Sequence, residues 1–271
     1  MTKIKIATFN VNSIRVRLPR VLDWLKSENP DIICLQELKC VDEDFPVLEI
    51  ENLGYNIVTL GQKTYNGVAI LSKFKIEETI KGLPDFSDEQ SRYIEGVITV
   101  NDKIIRISSI YLPNGGGPLS EGEKLEESAK FQYKLNFFDA LNSRVKNLLS
   151  QNEIQIFAGD LNVAIEEIDV FDAKSLKDTV CFHGLERQKM RTLLNFGLID
   201  SFRAANPNTQ SFSWYDYRGN AWQSGKGLRI DYLLVSPLAA DKIIAANIND
   251  KGVRDLEKAS DHCPCVLELE I

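Results

Sequence analysis

Short apolar runs that stop abruptly at polar residues recur along this chain. Ile4-Lys5-Ile6-Ala7-Thr8-Phe9 ends at Asn10-Val11-Asn12, and Ile32-Ile33-Cys34-Leu35 ends at Gln36-Glu37. Gly67-Val68-Ala69-Ile70-Leu71 ends at Ser72-Lys73, and Ile104 to Ile110 ends at Tyr111-Leu112-Pro113-Asn114. Ile154-Gln155-Ile156-Phe157-Ala158 ends at Gly159-Asp160-Leu161-Asn162, while Leu228-Arg229-Ile230 leads into Asp231-Tyr232-Leu233-Leu234-Val235. Runs this short and this rich in β-branched residues predict strands with one or both faces buried. Three segments have helical spacing instead. Arg15 to Ser27 aligns Ile14, Leu18, Val21, Leu22 and Leu25; Lys130 to Ser150 aligns Phe131, Leu135, Phe138, Leu141 and Val145; Leu185 to Phe196 aligns Met190, Leu193 and Leu194. Tyr93–Val100 and Ile104–Ile110 form a predicted hairpin across Asn101-Asp102. The mixture predicts an α/β layered protein with mixed sheets. In such folds, sites form at strand ends, so the polar residues closing these runs are candidates as a set.

Composition narrows this picture. The chain has 271 residues, 44% of them apolar, and shows no repeat, linker or low-complexity tract, so one domain over residues 1–271 is expected. No apolar run is long enough to span a membrane, and the alternating N-terminus lacks the core of a signal peptide. A cytoplasmic protein with no membrane partner is the expectation. Five scattered cysteines without a CxxC pair speak against a disulfide framework or a structural zinc site. The net charge of −7 opposes a general affinity for nucleic acid. Carboxylates gathered around a cation would lower the pI without repelling DNA. DNA contacts would then fall to local basic residues, with Arg15, Arg17, Arg20, Lys63, Lys134 and Arg218 as candidates.

Each candidate for chemistry has a plainer reading beside it. If extended, Asp160 and Asn162 face one point, as do Asn10 and Asn12; either pair alone is more often a turn. Glu37, after four apolar residues and Gln36, is costly at the inner end of a strand unless paired or bound to a cation. His262 in Ser260-Asp261-His262-Cys263-Pro264 sits just before the last strand. Asp231, embedded among apolar residues, is the candidate that orients its ring. His183 lies in a predicted loop and receives no role. Tyr111 ends its strand and reads as a core or rim tyrosine. The glycine-rich stretches Asn114-Gly115-Gly116-Gly117 and Gly225-Lys226-Gly227 lack the order of a P-loop. Together, carboxylates, amides and one histidine at strand ends suit metal-assisted hydrolysis of a phosphodiester.

Phe9-Asn10-Val11-Asn12, Leu35-Gln36-Glu37-Leu38-Lys39, Tyr111-Leu112-Pro113-Asn114, Gly159-Asp160-Leu161-Asn162, Gly227-Leu228-Arg229-Ile230-Asp231 and Ser260-Asp261-His262-Cys263-Pro264 follow in an order that resembles the exonuclease III-type AP endonucleases, from first strand to last. The resemblance implies a four-layer sandwich of two mixed β-sheets flanked by helices. It implies hydrolysis of the bond 5′ to an abasic site in double-stranded DNA, leaving a 3′-hydroxyl, with trimming of blocked 3′ ends by exonuclease and phosphatase action. It implies Mg²⁺, with Mn²⁺ as an alternative, and a monomer. Glu37 resembles the main metal ligand, with Asn10 and Asp261 assisting and Asp160, Asn162 and His262 adjoining. Asp160 resembles the group that activates water or protonates the leaving oxygen, and Asn162 the amide that positions it. His262, oriented by Asp231, resembles the phosphate-contacting histidine, and Tyr111 the tyrosine beside the phosphate. Trp214, Leu228 and Ile230 match the pocket for a flipped-out abasic sugar, with Asn12 and Asn114 as further substrate contacts.

A lipid or inositol-phosphate phosphodiesterase would share Glu37, Asp160, Asn162, Asp231 and His262 but differ in the loops around Trp214 and Leu228. A secreted nuclease would need a signal peptide and disulfides. A binding module without activity would be expected to have lost site residues, and none is missing.

Overall fold

The computed structural model describes residues 2–250 and 252–271. In chain order the strands are β1 (Lys3–Asn10), β2 (Ile32–Gln36), β3 (Asn56–Leu60), β4 (Val68–Ser72), β5 (Ile76–Lys81), β6 (Tyr93–Val100), β7 (Lys103–Tyr111), β8 (Ile154–Asp160), β9 (Ile199–Asp200), β10 (Trp214–Tyr215), β11 (Gly227–Leu228), β12 (Asp231–Val235), β13 (Ile243–Ile248) and β14 (Cys265–Glu270). The helices are α1 (Ile14–Glu28), α2 (Val47–Glu51), α3 (Ala129–Leu149), α4 (Gly184–Asn195), α5 (Ser201–Ala205) and α6 (Pro237–Ala240). One six-stranded sheet runs β13-β14-β1-β2-β4-β3 and the other β5-β6-β7-β8-β12-β9. Each sheet is mixed: β1 pairs parallel with β2 and β7 parallel with β8, and the other pairings are antiparallel. Among the described residues, no helix is long and apolar enough to cross a membrane.

The dense apolar runs follow from burial on both faces. In β1, Ile4 and Ile6 point into the slab between the sheets, where they meet Ile105, Ile107, Ile154 and Ile156. Ala7 and Phe9 point the other way, onto Val21, Trp24 and Leu25 of α1. In β8, Ile156 and Ala158 face the slab while Phe157 faces Phe138, Leu141 and Met190 of α3 and α4. The layers are therefore helix, sheet, sheet, helix: the expected four-layer α/β sandwich. The three predicted helices lie within one residue of their expected bounds. Leu228-Arg229-Ile230 does not run straight into β12. The chain breaks after β11 because the Arg229 N–H bonds Asp169 O and the Ile230 N–H bonds Ser213 Oγ.

Charge inside this sandwich is compensated locally. Glu95 on β6 accepts from Arg106, Arg144 and the Tyr93 hydroxyl. Arg229, 1% exposed, lies between Asp169 at 2.8 Å and Asp200 at 2.8 Å, with its guanidinium over the Tyr232 ring. Burial alone would raise the Asp169 carboxyl, but the charge and hydrogen bonds of Arg229, with Arg203 and the Glu166 N–H, hold it below its ordinary 3.8. The folded chain then binds this proton less tightly than the unfolded chain. The stability it contributes is complete above the ordinary carboxylate range and is lost as pH falls through the lower folded value. Asp169→Asn should cost about 3 kcal/mol, because it leaves Arg229 incompletely paired in the interior. A urea midpoint close to the parent's at neutral pH would refute this, as would an unchanged penalty below pH ~3.

Candidate active site

The strand directions bring the candidate residues to one end of the sandwich. β1, β2, β7 and β8 all deliver their C-terminal ends there, carrying Asn10, Glu37, Tyr111 and Asp160. β12 runs antiparallel to β8, so its first residue, Asp231, stands opposite Asp160 in register. β14 runs antiparallel to β1, which places the preceding Asp261-His262 beside Asn10. A cavity of about 560 Å³ opens at this end, lined by Glu37, Tyr111, Asn114, Asp160, Asn162, Trp214, Leu228, Ile230, Asp261 and His262 among others.

His262 is buried, and its Nδ1 lies 2.9 Å from Asp231 Oδ2. Ser213 Oγ donates to the same oxygen at 2.6 Å and accepts the N–H groups of Ile230 and Asp231, so the carboxylate is fixed from behind. The other ring nitrogen, Nε2, lies 3.7 Å from Asp160 Oδ2. Burial opposes charge on the ring, but Asp231 and Asp160 outweigh it and push the imidazole up to about 10. The Asp160 carboxyl is pushed up to about 7 by burial and by Asp231 and Glu37, although His262 works against this. Burial and the charges of Glu37 and Asp160 raise the Tyr111 hydroxyl well above 10, so it stays protonated. Arg92 lies 4.7 Å from the centre of the Tyr111 ring.

Asn10 joins the two carboxylates: its Nδ2 donates to Glu37 Oε1 at 2.8 Å and to Asp160 Oδ2 at 2.9 Å, while its oxygen accepts the Asn12 N–H. Asn12 does not line the cavity; it donates to Asp261 Oδ1 and accepts from Lys39 Nζ. Asp261 Oδ2 accepts from the Trp214 indole at 3.0 Å, so the aromatic wall is tied to the carboxylate. Asn162 has φ of 49°, so Asp160 and Asn162 do not share a face by extension. Asp160 Oδ1 accepts the Asn162 N–H, which is the turn the plainer reading favoured, while Asp160 Oδ2 faces His262. Asn162 donates to Leu112 O and accepts from Asn114 Nδ2. One ligand atom from each of Glu37, Asp160 and His262 lies within 4.8 Å of the other two. The carboxylate oxygens of Glu37 and Asp160 are hard donors that fit a divalent cation, with the His262 nitrogen beside them.

Lys134, expected at the DNA surface, has no exposed surface and pairs with Glu186. Arg218 is 90% exposed at its side chain and lines the cavity mouth, paired with Asp216 at 2.8 Å. Arg15 and Arg17 are tied to Asp44 and Tyr217. His183 closes the loop before α4, where it is the N-cap of that helix. Ser213, Ser260 and Lys39 went unassigned in the sequence. Ser260 Oγ donates to Asn10 O, and Lys39 Nζ lies 2.8 Å from Glu37 Oε2. Serines carry little signal of their own, though Ser260 adjoins His262 and Lys39 adjoins Glu37.

A model of the endonuclease/exonuclease/phosphatase family matches residues 7–262. A Haemophilus influenzae protein named exodeoxyribonuclease III is 32% identical over 98% of this chain and its own full length. Among solved structures, the Neisseria 3′ phosphatase NExo bound to product DNA hairpin superposes with a TM-score of 0.91 at 35% identity, covering 99% of this chain and 100% of that one. An AP endonuclease from Archaeoglobus fulgidus gives 0.90 at 36% identity, again covering 99% and 100%.

A divalent cation at roughly ten times its dissociation constant should stabilise the protein by about 1.4 kcal/mol. The melting temperature would rise by roughly 3–5 °C. Because Asp160 must give up its proton to bind the ion, the rise should grow between pH 6 and pH 8 as pH passes about 7. Glu37→Ala should abolish the rise; an equal rise in that variant would remove Glu37 from the site.

Proposed function

The chain belongs to the endonuclease/exonuclease/phosphatase family, and from that premise we propose that it is an exonuclease III-type AP endonuclease that cuts double-stranded DNA 5′ to abasic sites. One observation carries the reading: the cluster Glu37–Asp160–His262 opens onto an apolar slot walled by Trp214, Leu228 and Ile230. A deoxyribose without its base fits such a slot, since it offers no edge to read and little to stack. The same site acts on 3′ termini as an exonuclease and 3′-phosphatase. We take residues 1–271 as one catalytic unit, working as a monomer.

Mg²⁺ held by Glu37 and Asp160, with Asn10 and Asp261 beside them, would neutralise charge developing on the phosphate and favour attack by water. Mn²⁺ offers the same donor preference. The side chains do the rest. His262, kept cationic by Asp231 and Asp160, places positive charge against a phosphate oxygen. Asp160, a carboxylate once the ion is bound, can accept a proton from the attacking water and return one to the leaving 3′ oxygen. Tyr111 keeps its hydroxyl proton and offers it to a phosphate oxygen. Asn162 and Asn114 orient the phosphate through the loops that follow β8 and β7. The overall charge of −7 leaves strand binding to local cations such as Arg218 at the cavity mouth.

With Mg²⁺, the protein should nick a duplex containing one abasic analogue and leave a 3′-hydroxyl. Hydrolysis of an inositol phosphate or sphingomyelin with the duplex intact would overturn the reading in favour of a lipid-directed relative. His262→Asn should lower kcat by about 10²–10⁴-fold with an unchanged circular dichroism spectrum; near-parental turnover would refute its role.

A further inference from the structure

The lysine that the sequence placed at the surface has a different use. We propose that Lys134 is a positioning residue: from inside α3 its ammonium fixes the two loops that present Asn114 and Asn162 to the substrate. The proposal rests on the phosphodiesterase reading above.

An ammonium has three donors and no acceptor. Lys134 Nζ meets three acceptors: Asn114 O at 3.0 Å, Asn162 O at 2.6 Å, and the carboxylate of Glu186 from α4. Both charged side chains have zero exposure, and Glu186 is held in turn by the His183 N–H at 2.8 Å. The loop after β7 and the loop after β8 are thus tied to one atom. The tie continues into the cavity. Asn114 Nδ2 donates to Asn162 Oδ1 at 2.9 Å, and the Asn162 N–H donates to Asp160 Oδ1 at 2.9 Å. Lys134 is therefore two hydrogen bonds from the carboxylate that moves the proton. The backbone is shaped around it. Gly115 has φ of +82°, and a Cβ there would stand 2.8 Å from Lys134 Cδ, so the loop passes over the lysine only as glycine.

Stability alone does not call for this arrangement. A buried ion pair gains little over well-packed apolar side chains of similar size. A methionine and a leucine could fill the volume, but neither could hold two carbonyls in fixed directions. Misplacing a reacting group by about an ångström can cost on the order of 10²-fold in rate.

The test replaces both charges together, so that neither is left unpaired. Lys134→Met with Glu186→Leu should fold, lower kcat about 10–100-fold on an abasic duplex and change KM less than about threefold. In the protein without substrate, hydrogen exchange at the Asn162 amide should quicken roughly tenfold while β8 keeps its protection. Parental kcat and parental exchange, or a loss confined to KM, would overturn the proposal. If the double variant does not fold, Gly115→Ala keeps both charges and forces the loop and the lysine stem apart. It should show the same fall in kcat and the same faster exchange, and parental values in both would overturn the proposal equally. Failure of the parent protein to nick DNA would instead refute the function, while the exchange measurement would still decide the positioning.

Discussion

Asp160 and Asp231 stand opposite each other across two antiparallel strands, both shielded from water. Two carboxylates so placed cannot both be ionised without a positive charge or a proton close by. His262 supplies the charge: it takes Asp231 on one ring nitrogen and faces Asp160 with the other. The rest of the site follows from this compensation. Because one imidazole serves two carboxylates, Asp160 stays short of full compensation, and its carboxyl is pushed up to about 7. With Glu37 on the far side of Asn10, three carboxylates face one imidazolium; Lys39, 2.8 Å from Glu37, offsets part of the deficit, and a divalent cation would make up the rest.

The same constraint recurs away from the site with different solutions. Glu95 is matched by two arginines and a hydroxyl, and Arg229 by two aspartates and an aromatic face. Lys134 and Glu186 match each other. These centres are closed, with partner and counter-charge both supplied by the chain. The centre around Glu37, Asp160 and His262 faces a cavity instead, and that separates a reactive arrangement from a structural one made of the same residue types.

Much of this was legible in the sequence. β1, β2 and β8 announce themselves because both faces are largely buried, so apolar residues fill most positions until the strand leaves the core. The polar residues that close each run are where backbone meets cavity, which is why Asn10, Glu37, Tyr111 and Asp160 could be picked out together. What the sequence hid depends on contacts between distant segments. Ser213 matters only because it lies behind Asp231, and nothing in Phe212-Ser213-Trp214 marks it. Lys134 looked like any helical lysine, since a periodicity argument cannot tell a polar residue turned to water from one turned inward to an acid on another helix. The left-handed backbone at Glu37 and Asn162 redirects both side chains and could not be read from the alternation of a strand.

Asn10, Glu37 and His262 ride on the sheet built from β1, β2 and β14, whereas Tyr111, Asp160, Asn162 and Asp231 ride on the sheet built from β7, β8 and β12. The Asn10–Asp160 and His262–Asp231 contacts are seams between two bodies joined mainly by apolar packing, with a few buried hydrogen bonds such as those of Ser109 to Gln36 and Leu35. Such packing tolerates sliding far better than a cluster of charged atoms does. Warming that loosens the interlayer fit, well before strands separate, would disassemble the site first, so the protein carries at its rim a sensitive gauge of how well its own interior is seated.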